Sequence, residues 1–86
     1  MTPQEAHARR FCADIGVNLD DLADFRRRGP LTPQRERVAY LMRATPMPSG
    51  KRPSWPKIAN GMGFGSHTGA RTAARRYAKK NGLSPL

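Results

Sequence analysis

This sequence has a single cysteine, no long apolar run and no acidic residue after position 36. Cys12 has no second cysteine with which to form an internal disulfide. Residues 1–15 carry charged side chains among alanines and lack the apolar centre of a signal peptide. No stretch approaches the roughly 18 consecutive apolar residues of a membrane helix. We therefore expect a cytoplasmic protein without a disulfide framework or a membrane anchor.

Side chains that could perform chemistry are also scarce. Cys12 and His7 stand without clustered partners, which gives neither a metal site nor a catalytic triad. A chain of 86 residues forms one small domain, which buries only about 60 to 65% of the surface of its unfolded state. We expect a binding protein rather than an enzyme, with no catalytic residue, no metal, no cofactor and no small-molecule substrate.

Charge is distributed unevenly along the chain. The first 36 residues contain six basic and six acidic residues, whereas the rest contains ten basic residues and no acidic one. The whole net charge of +10 therefore belongs to the second part. Such an asymmetry is typical of a protein that binds a polyanion, and it predicts association with the nucleoid.

The signals for helix starts are clear, and no alternating strand pattern occurs. The segments TPQE at 2–5 and TPQRE at 32–36 each offer a Thr cap followed by Pro at the first helical position. Asn18 caps a short helix at 19–25, and Ser54 caps a fourth. The sequence predicts an all-α fold: one domain, 1–86, with about five helices.

The segment TPMPSGKRP, residues 45–53, contains three prolines and a glycine and predicts an exposed connection. Beyond it, glycines separate a short helix from a long basic one at about 66–81. Gly63, Gly65 and Gly69 fit neither the P-loop nor the dinucleotide fingerprint in spacing. As a turn between two helices they fit better, and we predict a helix-turn-helix at 54–81.

The last helix has two different faces when residues are placed about 100° apart. Its packing stripe is predicted to contain Ala70, Ala73, Ala74 and Tyr77. The opposite face, which is free to bind a partner, is predicted to contain Thr68, Arg71, Thr72, Arg75 and Lys79.

At this point the residues resemble a known family. The segments RERVAYLMR and SWPKIANGMGFGSHTGARTAARRY resemble the C-terminal DNA-binding domain of the bacterial replication initiator DnaA, a member of the Trp-repressor-like helix-turn-helix group. The similarity covers roughly residues 8 to 80. The matching residues are Arg35, Tyr40, Leu41, Arg43, His67, Thr68 and Ala73, with a looser match at Ser54, Pro56 and Ile58.

The resemblance implies duplex recognition, with His67 and Thr68 reading base edges in the major groove and Arg35 reaching the minor groove. Gly65, Ser66 and Gly69 depart from the family signature, so the initiator's target sequence does not carry over. An 86-residue chain also has no room for the initiator's ATPase domain. The expected protein is a stand-alone reader of DNA.

Two sets of contacts are therefore predicted. Recognition helices touch bases near their start, and the preceding helix crosses the phosphate backbone. The base-contacting set is Ser66, His67, Thr68, Arg71, Thr72 and Arg35. The phosphate-contacting set is Lys51, Arg52, Ser54, Lys57, Arg75 and Lys79.

We expect a sequence-specific double-stranded DNA-binding protein that acts as a transcriptional regulator. One alternative is a replication accessory factor, of a phage or an origin, that uses the same motif. Another is a protein-interaction inhibitor whose neutral N-terminal half holds a protein partner. RNA binding is less favoured, because the stacking aromatics of RNA-binding modules are missing.

Overall fold

The computed structural model describes residues 2–23 and 31–84. Within these residues it contains helices and no strand, which confirms the all-α class. The helices are α1 Pro3–Asp14, α2 Leu19–Ala23, α3 Thr32–Ala44, α4 Trp55–Met62 and α5 His67–Lys80.

Two helices begin with the side-chain caps that the sequence predicts. The hydroxyl of Thr2 accepts a hydrogen bond from the backbone N–H of Glu5 (3.2 Å). Asn18 Oδ1 accepts from the N–H of Asp20 (2.8 Å) at the start of α2. Each cap satisfies a backbone donor that has no partner within its helix.

The start of α3 differs from the prediction. Thr32 is the first helical residue, and Leu31 stands at the cap position without a side-chain capping bond. The Thr-Pro signal therefore located the helix but placed its cap one residue late. The expected continuation of α2 to residue 25 lies outside the described residues.

One apolar core joins all five helices. Helix α3 packs along α5, while α1 packs against α4. Residues of every helix contribute to the buried cluster, which contains Ala8, Cys12, Leu19, Leu22, Val38, Ala39, Met42, Ile58, Ala59, Met62, Ala70 and Ala74.

The turn from α4 to α5 depends on Gly63. Its φ of 76° lies in the left-handed region, and a Cβ built there would lie 2.8 Å from Cβ of Ala23. Only glycine avoids both the backbone strain and this close contact. Gly63 thus lets the chain reverse against α2 and begin α5 at the surface.

The connection at 45–53 is mostly exposed but is tied to the helices at its end. The Arg43 guanidinium donates to the carbonyl of Pro53 (3.0 Å) and lies 5.5 Å from the ring centroid of Trp55. Pro53 is buried. These contacts fix the start of α4 against the end of α3, and Trp55 packs against the core.

Candidate nucleic-acid interface

The inner face of α5 is built from small side chains. Ala70, Ala74 and Ala78 are buried, and the ring of Tyr77 lies against that of Tyr40 with centroids 5.2 Å apart. Small residues let two helices approach closely. Helix α5 is therefore fixed on α3 through its alanine stripe, without burying any of its charged residues.

The outer face of α5 is polar and exposed. The first turn of α5 contains no acidic residue, and the last turn of the helix contains Lys79 and Lys80, whose charges complement the helix dipole. The residues that the spacing assigns to the outer face are all exposed: Thr68, Arg71, Thr72, Arg75 and Lys79.

The first turn of α5 combines hydroxyl groups with a helix N-terminus. Ser66 is the cap residue, and its Oγ accepts from the N–H of Gly69 (3.3 Å). That bond uses the hydroxyl as an acceptor, so its proton remains available to a second partner. His67 and Thr68 are exposed beside it. The positive end of the helix dipole favours anionic groups at this point.

The start of α4 presents a second set of polar groups. Lys51, Arg52, Ser54 and Lys57 are all exposed. Ser54 occupies the cap position of α4, but its hydroxyl makes no capping bond. The hydroxyl and the positive end of this helix dipole therefore face outward together with two lysines and an arginine.

Arg35 is mostly buried although it reaches the cleft beside α5, and the minor-groove contact implied by the resemblance stays a prediction. Only 4% of the surface of Arg35 is exposed. Its guanidinium donates to the carbonyl of Leu22 and lies 4.2 Å from the ring centroid of Phe64. A buried guanidinium is costly unless it is hydrogen-bonded, and here a carbonyl and an aromatic face enclose it. Arg35 holds α2 and the α4–α5 turn against α3.

A cleft of about 370 Å³ that was not predicted from the sequence lies beside the outer face of α5. Thr68, Thr72 and Arg76 line it, together with Thr32 at the start of α3. The four-residue spacing of 68, 72 and 76 was the available signal, because it places three side chains on one stripe. That spacing could not predict that residues of α3 form the other side of the cleft.

The two lysines at the end of α5 have different environments. Lys80 Nζ lies 2.8 Å from Oε1 of Glu36, whose side chain is only 4% exposed. Lys79 is exposed. Lys80 therefore compensates a buried carboxylate, while Lys79 belongs to the outer face.

Metal-ligating side chains are dispersed in the described part of the chain, and Cys12 is buried. Residues 2–23 and 31–84 contain no group of three His, Cys, Asp or Glu side chains placed to hold a metal ion. Burial raises the pKa of the Cys12 thiol to about 11, although the charge of Arg9 acts in the opposite direction. This thiol is protonated at neutral pH and is a poor nucleophile. No helix in the described part of the chain is long and apolar enough to cross a membrane.

No protein-family model, curated protein or solved structure matches this chain. The resemblance to the DnaA domain therefore stays a prediction. The function has to be inferred from the chemistry of the exposed faces of α4 and α5.

Proposed function

We propose that this chain is a sequence-specific double-stranded DNA-binding protein that acts as a transcriptional regulator. In this proposal α4, the turn at 63–66 and α5 form a helix-turn-helix, and α5 enters the major groove. The observation that carries the proposal is the exposed outer face of α5, where cations and hydroxyls project while alanines pack inward.

The dimensions and side chains of α5 suit a major groove. Its 14 residues make a rod about 21 Å long. The groove is about 12 Å wide and admits one helix. Arg71 is long enough to donate two hydrogen bonds to O6 and N7 of a guanine, and Thr68 and Thr72 offer hydroxyls and methyl groups to neighbouring base edges.

The remaining cations suit the phosphate backbone. Lys51, Arg52 and Lys57 surround the start of α4, the helix that crosses the backbone in this class of motif. Arg75 and Lys79 extend the basic surface along α5. Phosphate contacts set the position of the protein on the duplex, and base contacts set its sequence preference.

The resemblance of residues 8–80 to the DnaA domain supports duplex DNA as the partner. Gly65, Ser66 and Gly69 remove the family's side chains at three positions near the recognition helix start. We therefore propose a different target sequence from that of the initiator.

Selection of bound fragments from random duplex DNA tests the proposal, followed by anisotropy titrations on the selected site. If about six phosphates are neutralised, log affinity falls against log salt with a slope of about −5. Arg71→Ala should relax the preference at one base pair, whereas Lys57→Ala should weaken all duplexes alike.

Arg37→Ala is the matched control, because it removes an exposed cation from α3 rather than from the proposed surface. Failure of the selection to enrich any sequence, or a salt slope near zero, would contradict the proposal.

A further inference from the structure

A second surface feature lies away from the outer face of α5. It is a groove of about 580 Å³ between the first turns of α1 and the connection at 45–53. We name it the α1–connection groove. Pro3, Ala6 and Arg10 of α1 line one side, and Met47 and Pro48 of the connection line the other. This volume lies within the range of about 300 to 1,000 Å³ that is usual for ligand pockets.

The lining of the groove is mainly apolar, with two cations and the polar residues Gln4, His7 and Ser49. Pro3, Ala6 and Pro48 are exposed, and Met47 is half-buried, so these apolar side chains meet solvent rather than the core. Arg10 and Lys57 are exposed and also line the groove. No carboxylate from residues 2–23 or 31–84 lines it.

Both walls of the groove are held in place. His7 Nε2 donates to the carbonyl of Thr45 (3.0 Å), which ties α1 to the start of the connection. Within the connection, the N–H of Gly50 donates to the carbonyl of Met47 (2.8 Å). The N–H of Met47 donates to the carbonyl of Lys51 (3.0 Å). A ligand that enters a preformed groove loses less free energy to ordering of the protein.

We propose that the α1–connection groove binds a short apolar segment of a protein partner that carries an aspartate or glutamate. The exposed prolines, alanine and methionine fit apolar side chains, which gain free energy when they leave water. Arg10 and Lys57 fit a carboxylate, and no acidic side chain among the described lining residues opposes its charge. A DNA backbone offers no apolar group for such a groove, so a peptide fits this lining better.

Lys57 connects the groove to the proposed DNA surface. It lines the groove, and it also stands among the cations at the start of α4. A carboxylate and a phosphate would compete for the same ammonium group. Binding of an acidic peptide should therefore lower the affinity for duplex DNA, and by linkage DNA should lower the affinity for the peptide by the same factor.

A displayed library of random 12-residue peptides, selected on the full chain at 0.15 M salt, tests the proposal. Enriched peptides should contain two apolar residues close to an Asp or Glu. A synthetic enriched peptide should then lose about tenfold or more in affinity for Ala6→Glu, which puts a carboxylate into the groove. Ala6 is exposed on α1, so the helix tolerates glutamate there.

Ala13→Glu is the matched control, because Ala13 is also exposed on α1 but does not line the groove. It should bind the peptide as the unmodified chain does. The proposal is wrong if no acidic apolar class is enriched, or if both glutamate variants bind the peptide equally.

Duplex binding by Ala6→Glu and Lys57→Ala separates this proposal from the DNA proposal. Ala6→Glu should lose less duplex affinity than Lys57→Ala, because its carboxylate competes for the Lys57 ammonium group without removing it. A loss in Ala6→Glu as large as that in Lys57→Ala would assign the groove to nucleic acid and overturn the peptide proposal. Peptide binding without any duplex binding would instead overturn the DNA proposal alone.

Discussion

Helices α3 and α5 pack against each other and have 13 and 14 residues, yet of the two only α3 buries charged residues. Helix α3 buries Arg35 and Glu36, whereas the buried residues of α5 are alanines. Arg35 is thus structural, whereas Arg71 and Arg75 of α5 are exposed and available to a partner. The difference arises from the neighbours, because a carbonyl and an aromatic ring close around Arg35.

Replacing one arginine from each helix should give the largest contrast. Arg35→Ala removes a charged hydrogen bond to Leu22 and the contact with Phe64, and should lower the free energy of unfolding by about 3 kcal/mol. Arg71→Ala should change it by less than about 0.5 kcal/mol, because Arg71 is exposed. Urea denaturation followed by circular dichroism measures both.

Among variants that fold, Arg71→Ala should lose more DNA affinity than Arg35→Ala, the reverse of their order in stability. Arg71→Ala should cost about 1 to 3 kcal/mol of binding free energy on the preferred duplex, which is the value of one bidentate base contact.

If Arg35→Ala does not fold, Phe64→Leu tests the same contact, because it removes the aromatic face and leaves the hydrogen bond from Arg35 to Leu22. A Phe64→Leu protein as stable as the unmodified chain would contradict the structural role of this contact.

The turn that presents α5 gives the second contrast. Gly63→Ala forces a left-handed backbone on alanine and places a Cβ 2.8 Å from that of Ala23. We expect a loss of about 2 kcal/mol in stability. Gly65→Ala is the control in the same turn, since nothing lies within 4 Å of its added Cβ. The free energy of unfolding of Gly65→Ala should remain within about 0.5 kcal/mol of that of the unmodified chain, as measured by the same urea titration. Equal losses would mean that Gly63 does not determine the turn.

What could be predicted from the sequence was local. The caps of α1 and α2 were readable because each joins residues no more than three positions apart, as Thr2 does with Glu5. The two faces of α5 were readable because alanines and cations follow the helical period. The five helices and the exposed outer face therefore followed from short-range rules.

What could not be predicted depended on distant residues. The environment of Arg35 is formed by Leu22 and Phe64, which belong to other parts of the chain. The pairing of Glu36 with Lys80 joins residues 44 positions apart. Similarly, the α1–connection groove exists only because the fold brings residues 45–53 beside α1. Spacing along one helix carries no information about such neighbours.

The two adjacent lysines of α5 give a third and smaller contrast. Lys80→Ala leaves the buried carboxylate of Glu36 without its 2.8 Å partner. We expect a loss of about 1.5 kcal/mol, less than for a fully buried pair because the Lys80 side chain is 62% exposed. Lys79→Ala should leave stability unchanged and reduce the salt slope of DNA binding by about 1. Thermal unfolding and salt titrations measure the two effects, and a Lys80→Ala variant that changes only the salt slope would contradict this assignment.

The smallest contrast separates the cap serines of α4 and α5. Ser66→Ala removes the acceptor for the Gly69 N–H (3.3 Å) and should cost about 1 kcal/mol of stability, the usual value of an N-cap. Ser54→Ala should cost close to nothing in stability, because the Ser54 hydroxyl makes no capping bond.

If both serines also contact DNA, Ser54→Ala should weaken all duplexes equally, since Ser54 contacts phosphate. Ser66→Ala should instead alter sequence preference as well, because its hydroxyl proton faces the bases. Equal stability losses for the two variants would show that the Ser54 hydroxyl also caps α4, and would contradict the difference that the structure shows between the two serines.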